Sequence, residues 1–383
     1  MANDASDCEW KFLLAACSKE TPNKLQHIRA LLRAPIRWDS LLDLSAHHGV
    51  LPRLYRALAD VERELPSELW LQLKQSYQIN VHKAMLLSRE LIRIVDHLAE
   101  RGVEILPYKG LALAEALYGD IAMRQTGDID LLIRAPDLAR VREAVQELGY
   151  APHAELSAAE ERAYLKSGYE CAFDCAAWRN LLEVQWAIVP RFYAVDFDLD
   201  GVFVRAVTME VAGRTMKTPC NEDLFLILAV HAAKHVWGRL IWICDLARIT
   251  ERPGLDWSWI GAQARKLGIV RIVRVTMLLA QGMLGAEIPA GASEVLASDH
   301  EADAIAAEIR DATPGGEFDV ESIGYFRLMI RLRERFADRV RLATRLMFTP
   351  GPGEWAVVKL PDALFPLYRV VRVGRLVGRV VRR

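Results

Sequence analysis

The sequence of 383 residues lacks any apolar run that approaches the roughly 18–20 residues of a membrane-spanning helix. The N-terminal segment also lacks the basic region that begins a secretory signal, because acidic residues precede its apolar stretch. Six cysteines are too few and too scattered in a chain of this length to form a disulfide scaffold, so reduced thiols are expected. These absences exclude a small secreted domain and predict a cytoplasmic protein.

Net charge is nearly absent as well, at −1, but this balance hides an asymmetry along the chain. From residue 324 to the end, 14 Lys and Arg stand against 4 Asp and Glu, whereas the preceding residues contain 35 and 46. In the last segment the arginines recur every three or four residues, at Arg369, Arg372, Arg375, Arg379, Arg382 and Arg383. Such a helix either docks on the protein or binds an anionic membrane or a nucleic acid. We favour docking, because the acidic body offers an internal partner.

The apolar pattern divides the chain into four regions and predicts an α+β fold. Residues 1–102 have helical periodicity, and the segment from Pro66 to Gly102 predicts one long helix with typical punctuation at both ends. Residues 103–220 alternate short apolar runs with helical ones, and hairpin turns are expected at Asp200-Gly201 and Ala212-Gly213. Residues 221–323 are helical again, with a loosely ordered connection at 285–322, and residues 324–383 form an Arg-rich helical region.

The chemistry of the chain is concentrated where Asp128 and Asp130 begin an apolar run, DIDLLI. In an extended strand, alternate side chains share a face, so the two carboxylates lie side by side. Two neighbouring acids repel each other and resist burial unless a cation neutralises them. Hard oxygen ligands of this kind suit Mg²⁺, which commonly lies between carboxylates and substrate phosphates. The segment predicts a site for phosphoryl or nucleotidyl transfer.

A site with two metal ions usually needs a third carboxylate. Glu183 is the best candidate, because in LLEVQWAIV it projects from an otherwise apolar strand and needs a partner. Asp174, in CAFDCAAW, is the alternative.

Phosphate contacts are predicted before the acid pair. At Lys109-Gly110 a strand changes into a helix, where glycine allows close approach and the first helical N–H groups point at an anion. Lys109 adds a positive charge to such a site. Arg124, four residues before Asp128, is either a further phosphate contact or an arginine held in an ion pair or at the surface.

His231 and His235 share one face of a predicted helix, a spacing that zinc can use. The glutamate of the HExxH motif is missing, however, and Lys234 beside the pair does not favour a metal. We expect these residues either to pack against the catalytic domain or to contact the nucleotide or its acceptor. Asp245, farther along the chain, is expected to pair with Lys234, Arg239 or a histidine.

These motifs together resemble a known family. Lys109-Gly110, a helix ending in Tyr118-Gly119, and then R-x3-DIDLLI from Arg124 resemble the nucleotidyltransferase superfamily typified by DNA polymerase β. The chain is more narrowly similar to a bacterial family of uncharacterised nucleotidyltransferases. That narrower similarity also rests on EVQW at 183–186, on the helical block HAAKHVWGRL with the following WICDLA, and on Asp256-Trp257. Three departures are visible: Leu111 stands where the superfamily has serine or glycine, the gap from Gly110 to Asp128 is longer than usual in the superfamily, and Gln185 stands where the family has histidine.

The resemblance implies a polymerase β-like core of sheet and helices in residues 103–220, flanked by mostly helical regions. It implies transfer of a nucleotide from an NTP, with ATP expected, to a hydroxyl of a small molecule, peptide or protein. Asp128 and Asp130 would hold two Mg²⁺ ions, and Glu183 would complete the second site and help to activate the acceptor. The expected nucleotide contacts are Lys109, Gly110, Arg124, His231, Lys234 and His235. Alternatives are a regulatory protein that binds nucleotide without transfer, and a nucleotidyltransferase acting on RNA.

Overall fold

The computed structural model describes residues 2–154, 156–175, 180–293, 297–316, 318–319 and 322–381. Side chains are described for all of these except residues 2–6, 377 and 379–381. Five helices precede the first strand: α1 (Ala2–Cys17), α2 (Lys24–Leu31), α3 (Trp38–His47), α4 (Leu51–Ala59) and α5 (Ser67–Glu100). The long α5 confirms the helix predicted between Pro66 and Gly102.

A mixed region of strands and helices follows α5. Its elements are β1 (Ile105–Pro107), α6 (Gly110–Tyr118), β2 (Asp128–Ile133), α7 (Leu138–Glu147), β3 (Ala151–Pro152), α8 (Ala158–Ser167), β4 (Glu170–Cys175), β5 (Asn180–Gln185), α9 (Leu199–Val204), β6 (Val207–Val211) and β7 (Arg214–Thr218). Strands β6 and β7 form a hairpin whose turn contains Ala212 and Gly213, both with positive φ, which confirms that predicted turn. The predicted turn at Asp200-Gly201 is wrong. Asp198 accepts a hydrogen bond from the backbone N–H of Gly201 and thereby caps α9.

The rest of the described chain is helical. Its helices are α10 (Asn221–Lys234), α11 (Leu240–Thr250), α12 (Trp257–Leu267), α13 (Val270–Leu284), α14 (His300–Ala312), α15 (Ile323–Arg331), α16 (Phe336–Phe348), α17 (Pro352–Trp355) and α18 (Tyr368–Val381). The prediction of a loosely ordered connection at 285–322 is wrong for α14, which buries Ile305 and Ile309 against α13. The helices and the mixed sheet together make this an α+β fold. The division into four regions remains a prediction.

The main sheet has five strands in the order β1-β2-β5-β4-β3, with β2 and β5 parallel and the other pairs antiparallel. Alternation along β2 gives the sheet two different faces. Ile129, Leu131 and Ile133 are buried in a core shared with α5 and α7. Leu132 points the opposite way, into the core shared with the surrounding helices. The second face therefore carries Asp128 and Asp130 toward the helical part of the protein.

The basic helix α18 contacts the body of the protein. Arg372 and Arg375 both donate to the buried carboxylate of Glu354, and Arg372 also donates to the backbone of Leu346. The side chain of Arg379, together with Arg382 and Arg383, lies outside the described residues. Binding of a nucleic acid or an anionic membrane by this helix remains a prediction. Within the described residues, no helix has both the length and the apolar character needed to cross a bilayer.

Candidate active site

Neighbouring strands place polar side chains together on one face of the sheet. Asp130 of β2 lies opposite Glu183 of the parallel strand β5, and Asp128 lies two residues earlier on the same face. On the other side of β5, the antiparallel strand β4 places Glu170 opposite Gln185. Because registered partners on adjacent strands share a face, these side chains form one cluster. Strand register thus collects four carboxyl groups and one amide.

Gln185 connects the carboxyl groups of this cluster. Its Nε2 lies 3.2 Å from Asp130 Oδ1, 3.2 Å from Glu170 Oε2 and 3.1 Å from Glu183 Oε2. Its Oε1 accepts a hydrogen bond from the hydroxyl of Tyr108, which is buried beneath it. The amide offers donors to the acids and an acceptor to the tyrosine without adding a charge. Gln185 therefore positions the carboxyl groups.

The carboxyl groups resist simultaneous ionisation. Burial, and then the neighbouring Asp130, raise the pKa of Asp128 above its ordinary value. Burial, followed by the charges of Asp130 and Glu170, raises the pKa of Glu183 to about 8. A positive charge placed among these groups would favour their ionised forms.

Lys109 supplies one such charge. Its Nζ donates to Asp130 Oδ1 at 3.0 Å and lies 4.9 Å from the centre of the Tyr108 ring. Burial alone would lower the pKa of Lys109, but the Asp130 carboxylate and Tyr108 outweigh it and raise the pKa. The lysine therefore stays protonated beside the acid.

The backbone conformation and the close packing at position 110 require glycine. Its φ is +52°, a conformation that L side chains rarely adopt, and an added Cβ would lie 2.9 Å from Thr126 Cγ2. The start of α6 thus packs closely on the segment that leads into Asp128. The predicted approach of Gly110 to a phosphate remains a prediction.

Arg124 is held in a buried ion pair. Its Nε donates to Asp245 Oδ2 at 3.0 Å, and Tyr118 donates its hydroxyl to Asp245 Oδ1 at 2.7 Å. Burial would lower the pKa of Arg124, but the Asp245 carboxylate raises it. The expectation that Asp245 pairs with Lys234, Arg239 or a histidine is wrong, because its partner is Arg124. The two residues are 121 positions apart in the chain, and the packing of α6 against α11 brings them together.

Helix α10 brings a second group of side chains to the same place. The rings of His231 and His235 lie 4.9 Å apart, and both contact Trp242. Burial, and then the nearby lysines, lower the pKa of His231 and lower that of His235 to about 3, so both rings are neutral at pH 7. Burial also lowers the pKa of Lys234 to about 8, and its Nζ donates to the Tyr169 hydroxyl at 2.6 Å.

These groups surround one cavity of about 630 Å³, called the polar cavity below. Its lining includes eight of the predicted site residues: Lys109, Arg124, Asp128, Asp130, Glu183, His231, Lys234 and His235. Gly110 contacts the lining through Thr126. Lys83 and Arg239 add exposed positive charges. Carboxyl groups on the sheet thus face basic groups on the surrounding helices, an arrangement that suits a polyanion accompanied by cations.

Comparison with known protein families agrees with this arrangement. Residues 34–285, more than half of the chain, match a family described as uncharacterised nucleotidyltransferase. The chain belongs to this family. No curated protein and no solved structure matches the chain. The matched range includes α5, the whole five-stranded sheet and helices α10 to α13. Every residue that lines the polar cavity lies within this range.

A metal site in the polar cavity depends on the donor atoms that line it. Among the described residues, no group of three or more His, Cys, Asp or Glu side chains is already arranged to hold a metal ion. Asp128, Asp130 and Glu183 nevertheless offer hard oxygen donors on adjacent strands, which is the chemistry that Mg²⁺ selects. Burial and the neighbouring acids raise the pKa values of Asp128 and Glu183 even with Lys109 beside Asp130, so a further positive charge would favour the ionised forms. The residues therefore fit a divalent cation in donor type and in charge.

Sequence reasoning missed Glu170, Tyr169 and Thr126. Glu170 lies on the same face of β4 as Asp174, four residues away, and that spacing was the available signal. Register decides between them, because Glu170 lies opposite Gln185 and lines the polar cavity, whereas the exposed Asp174 pairs with His153. Asp174, the alternative third carboxylate, is not among the residues that line the polar cavity.

The raised pKa of Glu183 predicts a pH-dependent stability in protein freed of metal by a chelator. Between the unfolded pKa of about 4.3 and the folded value of about 8, the folded state holds a proton that the unfolded state has released. Stability therefore falls as pH rises through this window. Relative to Glu183→Gln, we expect the wild-type melting temperature to fall from pH 5 to 8 by on the order of 2 °C. If the difference in melting temperature between the wild type and Glu183→Gln stayed constant from pH 5 to 8, the raised pKa of Glu183 would be contradicted.

Proposed function

We propose that this protein is a Mg²⁺-dependent nucleotidyltransferase of polymerase β-like fold that transfers NMP from an NTP, with ATP as the expected donor, to a hydroxyl of an acceptor. The observation that carries the proposal is the registered placement of Asp128, Asp130 and Glu183 in a cavity that also holds basic side chains. Phosphoryl-transfer sites depend on such positioning and charge compensation, and they need no side-chain nucleophile.

Each side of the polar cavity has its own part in this proposal. Asp128, Asp130 and Glu183 would hold two Mg²⁺ ions, which supply charge neutralisation at the phosphates when bound. Lys109 and Lys234 bind the triphosphate as point charges. The neutral rings of His231 and His235 can donate hydrogen bonds to it without adding charge. Glu183, which lies opposite Asp130 on the neighbouring strand, is the carboxylate that would accept the proton of the acceptor hydroxyl.

The test uses ATP labelled with ³²P at either the α- or the γ-phosphate and measures where each label goes. Protein is incubated with Mg²⁺, a lysate of the source cells and either α-³²P-ATP or γ-³²P-ATP, and products are identified by mass spectrometry. We expect the α label to enter an acceptor and the γ label to leave as pyrophosphate. Transfer of the γ label would indicate a phosphotransferase, and binding of ATP without transfer of either label would indicate a regulatory protein. Repeating the assay with the other NTPs identifies the preferred base.

Thr126 is proposed to replace the serine that is missing after Gly110. Its Oγ1 is buried, its side chain lines the polar cavity, and the hydroxyl has no hydrogen-bond partner among the described residues. An unpaired buried hydroxyl is costly unless a ligand completes it. Thr126 also packs against Gly110, so its hydroxyl lies beside the first turn of α6.

Two variants of Thr126 separate the hydroxyl from the shape of the side chain. Because one hydrogen bond to a charged group contributes about 1.5 kcal/mol or more, we expect Thr126→Val to raise the KM for ATP about tenfold. Thr126→Ser keeps the hydroxyl and serves as the matched control, with a KM close to that of the wild type. Equal KM values for the two variants would show that the hydroxyl does not contact the nucleotide.

A further inference from the structure

A second cavity, of about 380 Å³, adjoins the polar one and has a different character. It lies between α8, the segment after β5, and the C-terminal helices α15 and α18. We call it the aromatic cavity, because six rings line it: Tyr164, Tyr169, Phe192, Tyr193, Tyr325 and Phe326. Its volume lies at the lower end of the range typical of small-molecule sites, so it suits a compact ligand.

Tyr169 belongs to the lining of both cavities. Its hydroxyl accepts a hydrogen bond from Lys234 Nζ at 2.6 Å, and the same Nζ lies 4.3 Å from the centre of its ring. Tyr325, on the aromatic side, donates its hydroxyl to the backbone oxygen of Lys234 at 2.8 Å. The backbone oxygen of Tyr169 is fixed by the N–H of Trp186 at 2.9 Å. Tyr169 therefore forms a shared wall of the two cavities, and Lys234 holds its side chain from the polar side.

The charged side chains of the aromatic cavity, Glu354, Arg372 and Arg375, are joined by hydrogen bonds. Glu354 is buried, and its two oxygens accept hydrogen bonds from Arg372 at 3.2 Å and from Arg375 at 2.5 Å. The N–H of Gly351 also donates to this carboxylate at 2.9 Å. The remaining lining is mostly aromatic and apolar. A ligand that matches it presents an aromatic face to these rings.

We propose that the aromatic cavity binds the acceptor of the transfer reaction, and that this acceptor is a small molecule with an aromatic ring and a hydroxyl group. This inference rests on the proposed function. The hydroxyl extends past Tyr169 into the polar cavity, where its oxygen forms the new bond to the α-phosphorus of the NTP. The bond between the α-phosphorus and the bridging oxygen breaks, pyrophosphate leaves, and the hydroxyl proton passes to the Glu183 carboxylate.

Binding of 2-naphthol tests the cavity with a defined probe, and glucose serves as a polar hydroxyl compound for comparison. Calorimetry of the full chain is expected to give 2-naphthol at least tenfold tighter binding than glucose. Ser167 lines the cavity at the end of α8, so Ser167→Trp should weaken 2-naphthol binding at least tenfold by filling the space. Phe326→Leu, which removes one ring face, provides a second variant. Lys166→Trp, at an exposed neighbouring position outside the lining, is the matched control and should bind like the wild type.

A second readout connects this cavity with the reaction. In the α-label assay, 2-naphthol should inhibit transfer to the natural acceptor competitively and leave the KM for ATP unchanged. Equal binding of glucose, unchanged affinity in both cavity variants, or transfer that 2-naphthol does not inhibit would each overturn the acceptor assignment. A variant with Asp128→Asn and Asp130→Asn should still bind 2-naphthol. Intact 2-naphthol binding together with no α-label transfer in the wild type would refute the proposed function instead.

Discussion

Replacing Asp128 and Asp130 together by asparagine is expected to lower the rate of α-label transfer by at least about 100-fold. Both side chains keep their size, but the two carboxylates that would hold cations in the polar cavity are lost. Lys109 also loses the carboxylate 3.0 Å from its Nζ, so the remaining positive charge is no longer compensated. The measurement is the initial rate of labelling at saturating ATP and Mg²⁺, with circular dichroism to confirm folding.

Asp174→Asn is the matched control for this prediction. Asp174 is also a strand carboxylate, but it is exposed and pairs with His153 instead of lining the cavity. Its substitution should leave the transfer rate within about twofold of the wild type, since surface ion pairs contribute little. If the double variant kept the wild-type rate, or if Asp174→Asn lost activity to the same degree, the assignment of the acidic site would be wrong.

Because side chains alternate regularly along strands, the sequence was sufficient to place Asp128 and Asp130 on the same face of one strand. It was also sufficient to place Glu183 on the polar face of another strand. The alternation of side chains along a strand does not predict which strands pair or in which register. The chain does not reveal that β2 and β5 are neighbours, or that Glu170 instead of Asp174 is brought to Gln185. Strand pairing depends on contacts throughout the sheet, so the local sequence of one strand does not determine it.

Local signals also predicted the helices and the last hairpin well. The long α5 lies between a proline and a glycine, and the hairpin turn has the residues with positive φ that its geometry requires. The prediction of a loose connection at 285–322 was wrong because composition rich in alanine and acids can still form an amphipathic helix when α13 offers an apolar partner.

Tertiary packing also created features without a sequence signal. Val236 and Trp237, directly after His235, have φ values of 54° and 48°, although neither is glycine. Such strain persists only where the surroundings enforce it, and Trp237 is fully buried with its Nε1 bonded to Thr276 Oγ1 at 3.1 Å. The position of His235 in the polar cavity therefore depends on contacts with α13, 39 residues away from Trp237 in the chain.

The buried pair of Arg124 and Asp245 makes the second prediction with a large effect. Replacing Asp245 by asparagine leaves the guanidinium buried without a compensating charge, and we expect a loss of about 3–5 kcal/mol in the free energy of unfolding. Arg124→Met should be destabilising as well, because among the described residues the Asp245 carboxylate then keeps a hydrogen bond only from the hydroxyl of Tyr118. Chemical denaturation of both variants and of the wild type measures these losses.

The double variant, with Arg124→Met and Asp245→Asn, separates the structural role of Arg124 from a role in binding phosphate. Removing both charges eliminates the uncompensated group, so the free energy of unfolding should recover to within about 1–2 kcal/mol of the wild type. If Arg124 also contacts the triphosphate, the stable double variant will still have a raised KM for ATP. A wild-type KM in that variant would show that the arginine only joins α11 to the segment before Asp128. A double variant no more stable than Asp245→Asn would mean that the ion pair does not account for the destabilisation.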